Sequence, residues 1–126
     1  VESASKGYCD MGAKVQVVDK PSGPIDRSMG DVHPSGNPHY NLSPKALVQA
    51  GRIVLDILIL HRPDQKQFFE NNFSQFEKHM TDLQNKISDK FRYFKGQNKP
   101  LFIEYHKELA YFFDLYELKS LGSIEE

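Results

Sequence analysis

The sequence predicts an α/β protein organised around one unusually long helix. Three features of the 126 residues support this prediction. An amphipathic helical pattern extends over 63–94, a strand–helix–strand pattern follows it, and glycine and proline are concentrated in the first third of the chain. A strand, a helix and a second strand in close succession are typical of a parallel sheet with a helical crossover.

The composition is that of a globular protein and argues against several functional classes. The chain is 39% apolar and 26% charged, and its net charge of −1 offers no basic surface for nucleic acid. The longest apolar run, 53–60, is interrupted by Asp56 and is much shorter than the roughly 18 residues of a membrane span. A single cysteine, Cys9, excludes an internal disulfide and a multi-cysteine zinc site.

The first third of the chain is predicted to be mostly loop. Residues 1–44 contain five of the eight glycines and five of the seven prolines, and they show no sustained helical period. Within this region, 14–18 has the strongest strand pattern. A loop of this length inside a small domain usually carries function.

A helix is predicted over 44–61. Ser43 is a suitable N-cap and Pro44 suits the first helical position, while Pro63 ends the pattern. Apolar residues with a helical period follow at Leu47, Ala50, Val54, Ile57 and Leu58. Other apolar residues leave little polar face, so this helix is expected to be buried on most sides.

The helix predicted over 63–94 is the longest element. Its apolar residues recur every three or four positions, at Phe69, Phe73, Phe76, Met80, Leu83, Ile87, Phe91 and Phe94. About 30 residues span roughly 45 Å, nearly three times the length of an average globular helix. The pattern alone leaves two interpretations open, a coiled-coil or bundle helix and a strut that joins two lobes.

Short elements are predicted after the long helix. A turn over 96–100 precedes a strand over 101–105, a helix over 108–118 and a second strand over 121–124. This order predicts a βαβ unit, and such a unit implies parallel strands.

Histidines are the most informative candidates for chemistry. The chain has no HExxH, GxSxG or phosphate-binding glycine motif, which leaves no common catalytic signature. His33 and His39 lie in a loop that prolines and glycines restrict, and His106 follows a predicted strand, where open α/β sheets commonly place ligand groups. Neutral imidazoles from separate elements suit Zn²⁺, although histidines 67 residues apart in a sequence are more often unrelated.

Two motifs resemble a known family. Residues 26–40, DRSMGDVHPSGNPHY, closely resemble the middle of the metal-binding proteins that serve ABC importers of zinc or manganese. Downstream, His106 is followed by four residues and then by Tyr111 and Phe112, and 121–125 matches the strand that follows in that family. The order and spacing agree from about Gly7 to Glu126.

The resemblance implies a two-lobed α/β solute-binding fold with the metal held in the cleft between the lobes. Residues 1–62 would then be the end of the N-terminal lobe, 63–95 the long linking helix and 96–126 the start of the C-terminal lobe. The 126 residues would be an incomplete, central segment of such a protein.

The resemblance also implies a ligand set. Of four protein ligands, His39 would be the second and His106 the third, while an early histidine and a late aspartate would lie outside this segment. Histidine rather than glutamate at the third position is similar to the zinc-type members, so Zn²⁺ is expected in preference to Mn²⁺. His33 is a possible additional contact to the metal. Tyr40, Asn37 and Glu104 are candidates for orienting the imidazoles.

The function that the resemblance implies is capture of Zn²⁺ outside the cytoplasmic membrane and its delivery to an ABC permease, without catalysis. The full-length protein is expected to be a periplasmic or lipoprotein-like cell-surface monomer that takes neither nucleic acid nor a small organic substrate. Two alternatives remain at this stage. One is a zinc hydrolase in which Glu104 or Glu108 acts as the base. The other is a helical adhesion module that uses the phenylalanine-rich face of 63–94.

Overall fold

The computed structural model describes residues 7–24, 33–95 and 101–124. Its elements are α1 (Pro44–His61), α2 (Lys66–Lys95), β1 (Leu101–Glu104), α3 (Ala110–Tyr116) and β2 (Lys119–Ser123), with short 3-10 turns at Tyr40–Leu42 and Pro63–Gln65. This order confirms the predicted α/β class. The predicted turn over 96–100 and the first part of the family motif, 26–32, lie outside the described residues. Among the described helices, none is long and apolar enough to cross a membrane.

Helix α1 begins and ends close to where the sequence predicts. The Ser43 hydroxyl accepts a hydrogen bond from the Ala46 N–H at 3.3 Å, and Pro44 occupies the first turn, where no donor is needed. After the helix, the Arg62 guanidinium lies 2.9 Å from a carboxylate oxygen of Asp64. Hydrogen bonds from this guanidinium lower the pKa of the Asp64 carboxyl to about 2.

The prediction that α1 is buried on most sides is wrong for the described chain. Val54, Leu58 and Leu60 expose 43%, 39% and 77% of their surface. The buried residues Ala46 and Ala50 pack in a hydrophobic cluster, so burial is confined to part of the helix surface. The apolar composition of α1 therefore predicts more burial than the structure shows. An apolar helix surface is buried only where other parts of the chain pack against it.

Helices α1 and α2 pack closely where α1 carries a glycine. A Cβ atom on Gly51 would lie 2.9 Å from Cε1 of Phe76 and 3.1 Å from Cε2 of Phe73. Next to this contact, the Arg52 guanidinium lies 4.4 Å from the centre of the Phe73 ring and pairs with Glu77 at 3.3 Å. The missing side chain at Gly51 therefore allows the two phenylalanine rings to approach the α1 backbone.

Helix α2 is one continuous helix of 30 residues, as predicted, although it begins at Lys66, after the 3-10 turn at Pro63–Gln65, and not at residue 63. Near its start, Phe73 and Phe76 contact α1, and near its end Ile87 and Phe91 pack against the residues of the sheet and α3. The predicted stripe does not pack along its whole length, since Leu83 is 42% exposed. The helix thus connects two packed regions across a more exposed middle.

The predicted βαβ unit is present. Strands β1 and β2 pair in parallel, with Leu101 opposite Lys119 and Phe102 opposite Ser120. Phe102 of β1 stacks on Phe113 of α3 with the ring centres 5.4 Å apart. The helix therefore covers one face of the two-stranded sheet, as a crossover helix normally does.

Helix α3 is shorter than the predicted 108–118, and β2 begins two residues earlier than predicted. Glu117 adopts a left-handed conformation with φ of 53°, and the Leu118 N–H donates to the Phe113 carbonyl at 2.9 Å. This is the hydrogen bond of a Schellman C-cap, which ends the helix and turns the chain directly into β2.

Two hydrophobic clusters meet at α3. Tyr111 packs in the first cluster with residues of α1 and the N-terminal loop, and Phe113 and Tyr116 pack in the second, beside the end of α2. The first cluster consists of the buried residues Val15, Ala46, Ala50 and Tyr111. Through α3, residues that are distant in sequence are held against the loop that carries His39.

The predicted strand over 14–18 is not formed in the part of the chain that the structure describes. Val15 is buried in the first cluster, and the Val18 carbonyl accepts a hydrogen bond from the Asn37 N–H at 2.9 Å. The apolar pattern of this segment is explained by packing against α1 and the neighbouring loop, because no partner strand pairs with it among the described residues.

Candidate metal centre

His39 lies at the end of a loop whose backbone is tightly defined. Gly36 has φ of +100°, and a Cβ at this position would lie 3.0 Å from Cγ2 of Val17, so a side chain would be both strained and crowded. The Leu42 N–H donates to the His39 carbonyl at 3.1 Å, which starts the 3-10 turn before α1. His39 is half-buried.

His106 lies in the loop between β1 and α3, two residues after the strand ends. The Glu108 N–H donates to the His106 carbonyl at 2.8 Å, which makes a tight turn. The buried carboxylate of Glu104 accepts a hydrogen bond from the Leu109 N–H at 3.0 Å and so closes the loop across five residues. Glu104 therefore shapes the loop that presents His106.

One buried side chain connects the two histidine loops. The Asn37 Oδ1 accepts a hydrogen bond from the His39 N–H at 2.9 Å, and its Nδ2 donates to the Lys107 carbonyl at 3.1 Å. Asn37 is only 6% exposed, and buried hydrogen bonds of this kind are costly to lose. The Asn37 amide thus joins the backbone of His39 to the backbone beside His106.

Tyr111 reinforces this connection from α3. Its hydroxyl donates to the Asn37 carbonyl at 2.7 Å and accepts a weaker bond from the Val18 N–H at 3.3 Å. Burial raises the pKa of the Tyr111 hydroxyl above its ordinary value, so the group stays protonated and can donate this bond at neutral pH.

The imidazoles that the sequence singles out converge. The ring centres of His39 and His106 are 6.3 Å apart, and those of His33 and His39 are 6.0 Å apart. One potential ligand atom from each of His39, His106 and Glu108 lies within 4.8 Å of the other two. Ligand atoms around a tetrahedral Zn²⁺ ion lie about 3.4 Å apart, so shifts of roughly 1.4 Å or less would bring these groups to one ion.

The chemistry of these groups fits a metal ion. Two imidazole nitrogens and one carboxylate are ligands that Zn²⁺ accepts, whereas Mn²⁺ prefers a set richer in oxygen. The His39 Nε2 is buried and has no hydrogen-bond partner within the described ranges. A buried nitrogen of this kind is unfavourable unless some partner uses its lone pair, which a metal ion would do.

The other candidates from the sequence have different surroundings. Tyr40 packs against the first hydrophobic cluster, and its carbonyl accepts a hydrogen bond from the Ser43 N–H. The side chains of Asn37 and Glu104 form the hydrogen bonds described above with the backbone of the two loops. They can therefore support the site by holding its loops in place.

Glu108 is the member of the group that sequence reasoning did not identify as a ligand. The sequence offers it only as a base in the alternative hydrolase. Its position two residues after His106 would put both side chains on the same face of a strand, but β1 ends at Glu104, so the tight turn at 106–108 sets how the two side chains meet. A histidine and a carboxylate separated by one residue just beyond a strand are the signal that could have found it.

Replacing Asn37 with alanine is expected to lower the zinc affinity of the full-length protein by about tenfold, the size of effect typical for residues that support metal ligands. The variant loses the bonds to His39 and Lys107, which frees the two loops to separate. Competition against a zinc-binding dye measures the change. Asn41→Ala, at an exposed position in the same loop region, is the control and should bind like the parent. Equal affinity of both variants would contradict the role of Asn37.

The comparisons that give matches to known proteins all point to the same family. The family model described as "Zinc-uptake complex component A periplasmic", ZnuA, matches residues 3–126. The chain is similar to a crystal structure of a ZnuA deletion mutant with zinc bound, with a TM-score of 0.62 and 23% identity over 69% of this chain and 32% of that one. It is also similar to a crystal structure of ZnuA, with a TM-score of 0.60 and 25% identity over 69% of this chain and 33% of that one.

A third similar structure is the AdcAII protein of Streptococcus pneumoniae, with a TM-score of 0.60 and 23% identity over 80% of this chain and 36% of that one. The chain thus spans about one third of the length of the structures that it matches. No curated protein matches the chain at a significant level. These similarities agree with the α/β solute-binding fold predicted from the sequence.

Proposed function

Because the chain belongs to the ZnuA family of periplasmic zinc-uptake components, we propose that it captures Zn²⁺ outside the cytoplasmic membrane and delivers it to an ABC permease. The observation that carries this proposal is the convergence of His39 and His106, two imidazoles 67 positions apart in sequence, with their ring centres separated by 6.3 Å. The reaction is binding and release, and no bond of a substrate is broken.

In this proposal His39 and His106 bind zinc through neutral ring nitrogens. Asn37 and Tyr111 hold the two loops together and Glu104 closes the loop that carries His106, so the imidazoles need little rearrangement when the ion arrives. Such preorganisation favours tight binding, because less conformational entropy is lost on capture. Other parts of the full-length protein would supply the remaining ligands. His33, whose ring centre lies 6.0 Å from that of His39, is an additional contact during entry or release.

The proposed lobes are 1–62 and 96–126, with 63–95 as the linking helix. The long continuous α2 and the packing at its two ends support this division. The bonds of Asn37 to Lys107 and Tyr111 then cross between the lobes beside the metal. The proposed location of the full-length monomer is the periplasm or the outer face of the cytoplasmic membrane.

The two alternatives from the sequence have less support in the described residues; of the two glutamates that flank His106 only Glu108 is exposed, and the turnover assays below test it as a base. The Glu104 carboxylate is buried and bonded to the Leu109 N–H, which is unsuitable for a base that must reach a water molecule. The phenylalanine-rich face of α2 is used in packing, with Phe73 buried and Phe91 in the second hydrophobic cluster. A zinc hydrolase and an adhesion module are therefore not proposed.

The test is an equilibrium zinc titration of the full-length protein, with esterase and peptidase assays on the same sample. We expect one tight, stoichiometric zinc site and no turnover of either substrate. Absence of a zinc site would refute the proposal, and zinc-dependent turnover would replace it with the hydrolase.

A further inference from the structure

We propose that Glu108 is a zinc ligand on the solvent side of the site, together with His39 and His106. This inference rests on the proposed function and adds to it a residue that directly contacts the ion. An oxygen of the Glu108 carboxylate lies within 4.8 Å of a ring nitrogen of each histidine, and the two ring nitrogens are also within 4.8 Å of each other. Three potential ligand atoms from two loops thus surround one point.

The backbone explains how Glu108 reaches this point. The turn made by the bond from the Glu108 N–H to the His106 carbonyl reverses the chain immediately after His106. Glu104 prevents the turn from opening, because its buried carboxylate holds the Leu109 N–H one residue further on. Glu108 is therefore held next to the imidazole of His106 by bonds that do not involve its own side chain.

Exposure distinguishes Glu108 from the other two ligands. The two histidines are half-buried, whereas Glu108 is exposed. An ion that arrives from solvent would meet the carboxylate first and then the imidazoles behind it. The carboxylate also supplies a negative charge that two neutral imidazoles lack, which favours a divalent cation over water at this position.

The test compares Glu108→Gln with the parent in the full-length protein. Glutamine has the shape of glutamate but lacks its charge and is a poor zinc ligand, so we expect the zinc affinity to fall at least tenfold. The matched control is Asp82→Asn, which removes one negative charge from the exposed surface of α2 and should change the affinity less than twofold.

Cobalt spectroscopy shows whether Glu108 binds the metal ion directly or acts only as a nearby negative charge. Co²⁺ substituted for Zn²⁺ gives visible absorption bands that depend on the atoms bound to it. If Glu108 is a ligand, Glu108→Gln shifts these bands, and Glu108→Asp gives an intermediate affinity. A lower affinity with unchanged bands would mean that the carboxylate acts only through its charge, and unchanged affinity would mean that it has no role. Either result overturns the inference.

The histidine variants show which proposal has failed. If His39→Ala and His106→Ala lose zinc while Glu108→Gln binds like the parent, the proposed function stands and the assignment of Glu108 is wrong. If none of the three variants changes the affinity, both are wrong.

Discussion

Replacing His106 or His39 with alanine in the full-length protein is expected to lower its zinc affinity by at least about two orders of magnitude. Removal of a group that merely supports a ligand typically costs 10- to 100-fold, and the loss of a ligand should cost more. One further imidazole lies nearby in the described part of the chain, that of His33, whose ring centre is 6.0 Å from that of His39. Competition against a chelator of known zinc affinity measures the change.

His79→Ala is the matched control for these variants. His79 is exposed on α2 and does not belong to the potential metal group, so its removal should leave the affinity within twofold of the parent. Thermal unfolding without zinc should show that all three variants are folded. A folded His106→Ala protein that binds zinc as tightly as the parent would refute the assignment of this residue.

Replacing Leu83 with proline is expected to destabilise the full-length protein by about 3 kcal/mol or more. Proline removes the backbone N–H that bonds to the preceding turn, and its ring displaces the carbonyl four residues earlier. Position 83 lies between the two packed regions of α2, one at Phe73 and the other at Phe91. A kink would therefore misalign the two ends of the helix.

The control Leu83→Ala separates the backbone effect from the loss of the side chain. Leu83 is 42% exposed, so its truncation should cost only about 1 kcal/mol. The free energy of unfolding from urea titrations measures both variants. If the proline and alanine variants differ by less than about 1 kcal/mol, α2 is not the rigid connection proposed here.

Local signals in the sequence were sufficient for the main helices and the sheet. Ser43 and Pro44 specify the start of α1 because capping depends only on neighbouring atoms. The spacing of apolar residues over 63–94 specifies α2 as one helix because every turn repeats the same local pattern. The parallel pairing of β1 and β2 follows from the short helix between them.

Burial could not be predicted in the same way. Leu60 is 77% exposed and Leu83 42% exposed, although each continues an apolar pattern. A pattern identifies the side of a helix that can be buried, whereas the neighbour that covers it comes from elsewhere in the chain. The same reason explains 14–18, whose apolar residues pack as a loop because no second strand pairs with them in the described ranges.

For the candidate site, too, some features follow from the sequence and others only from the tertiary structure. Sequence by itself determined the residue types, since the motif around His39 and the motif after His106 identify a family whose members bind metal ions. Only the tertiary structure decided that the two imidazoles meet, because the contact depends on Asn37 joining the backbone beside His39 to Lys107. It also decided the position of Glu108, because the turn at 106–108 and the packing of the two loops bring this carboxylate within reach of His39 as well as His106.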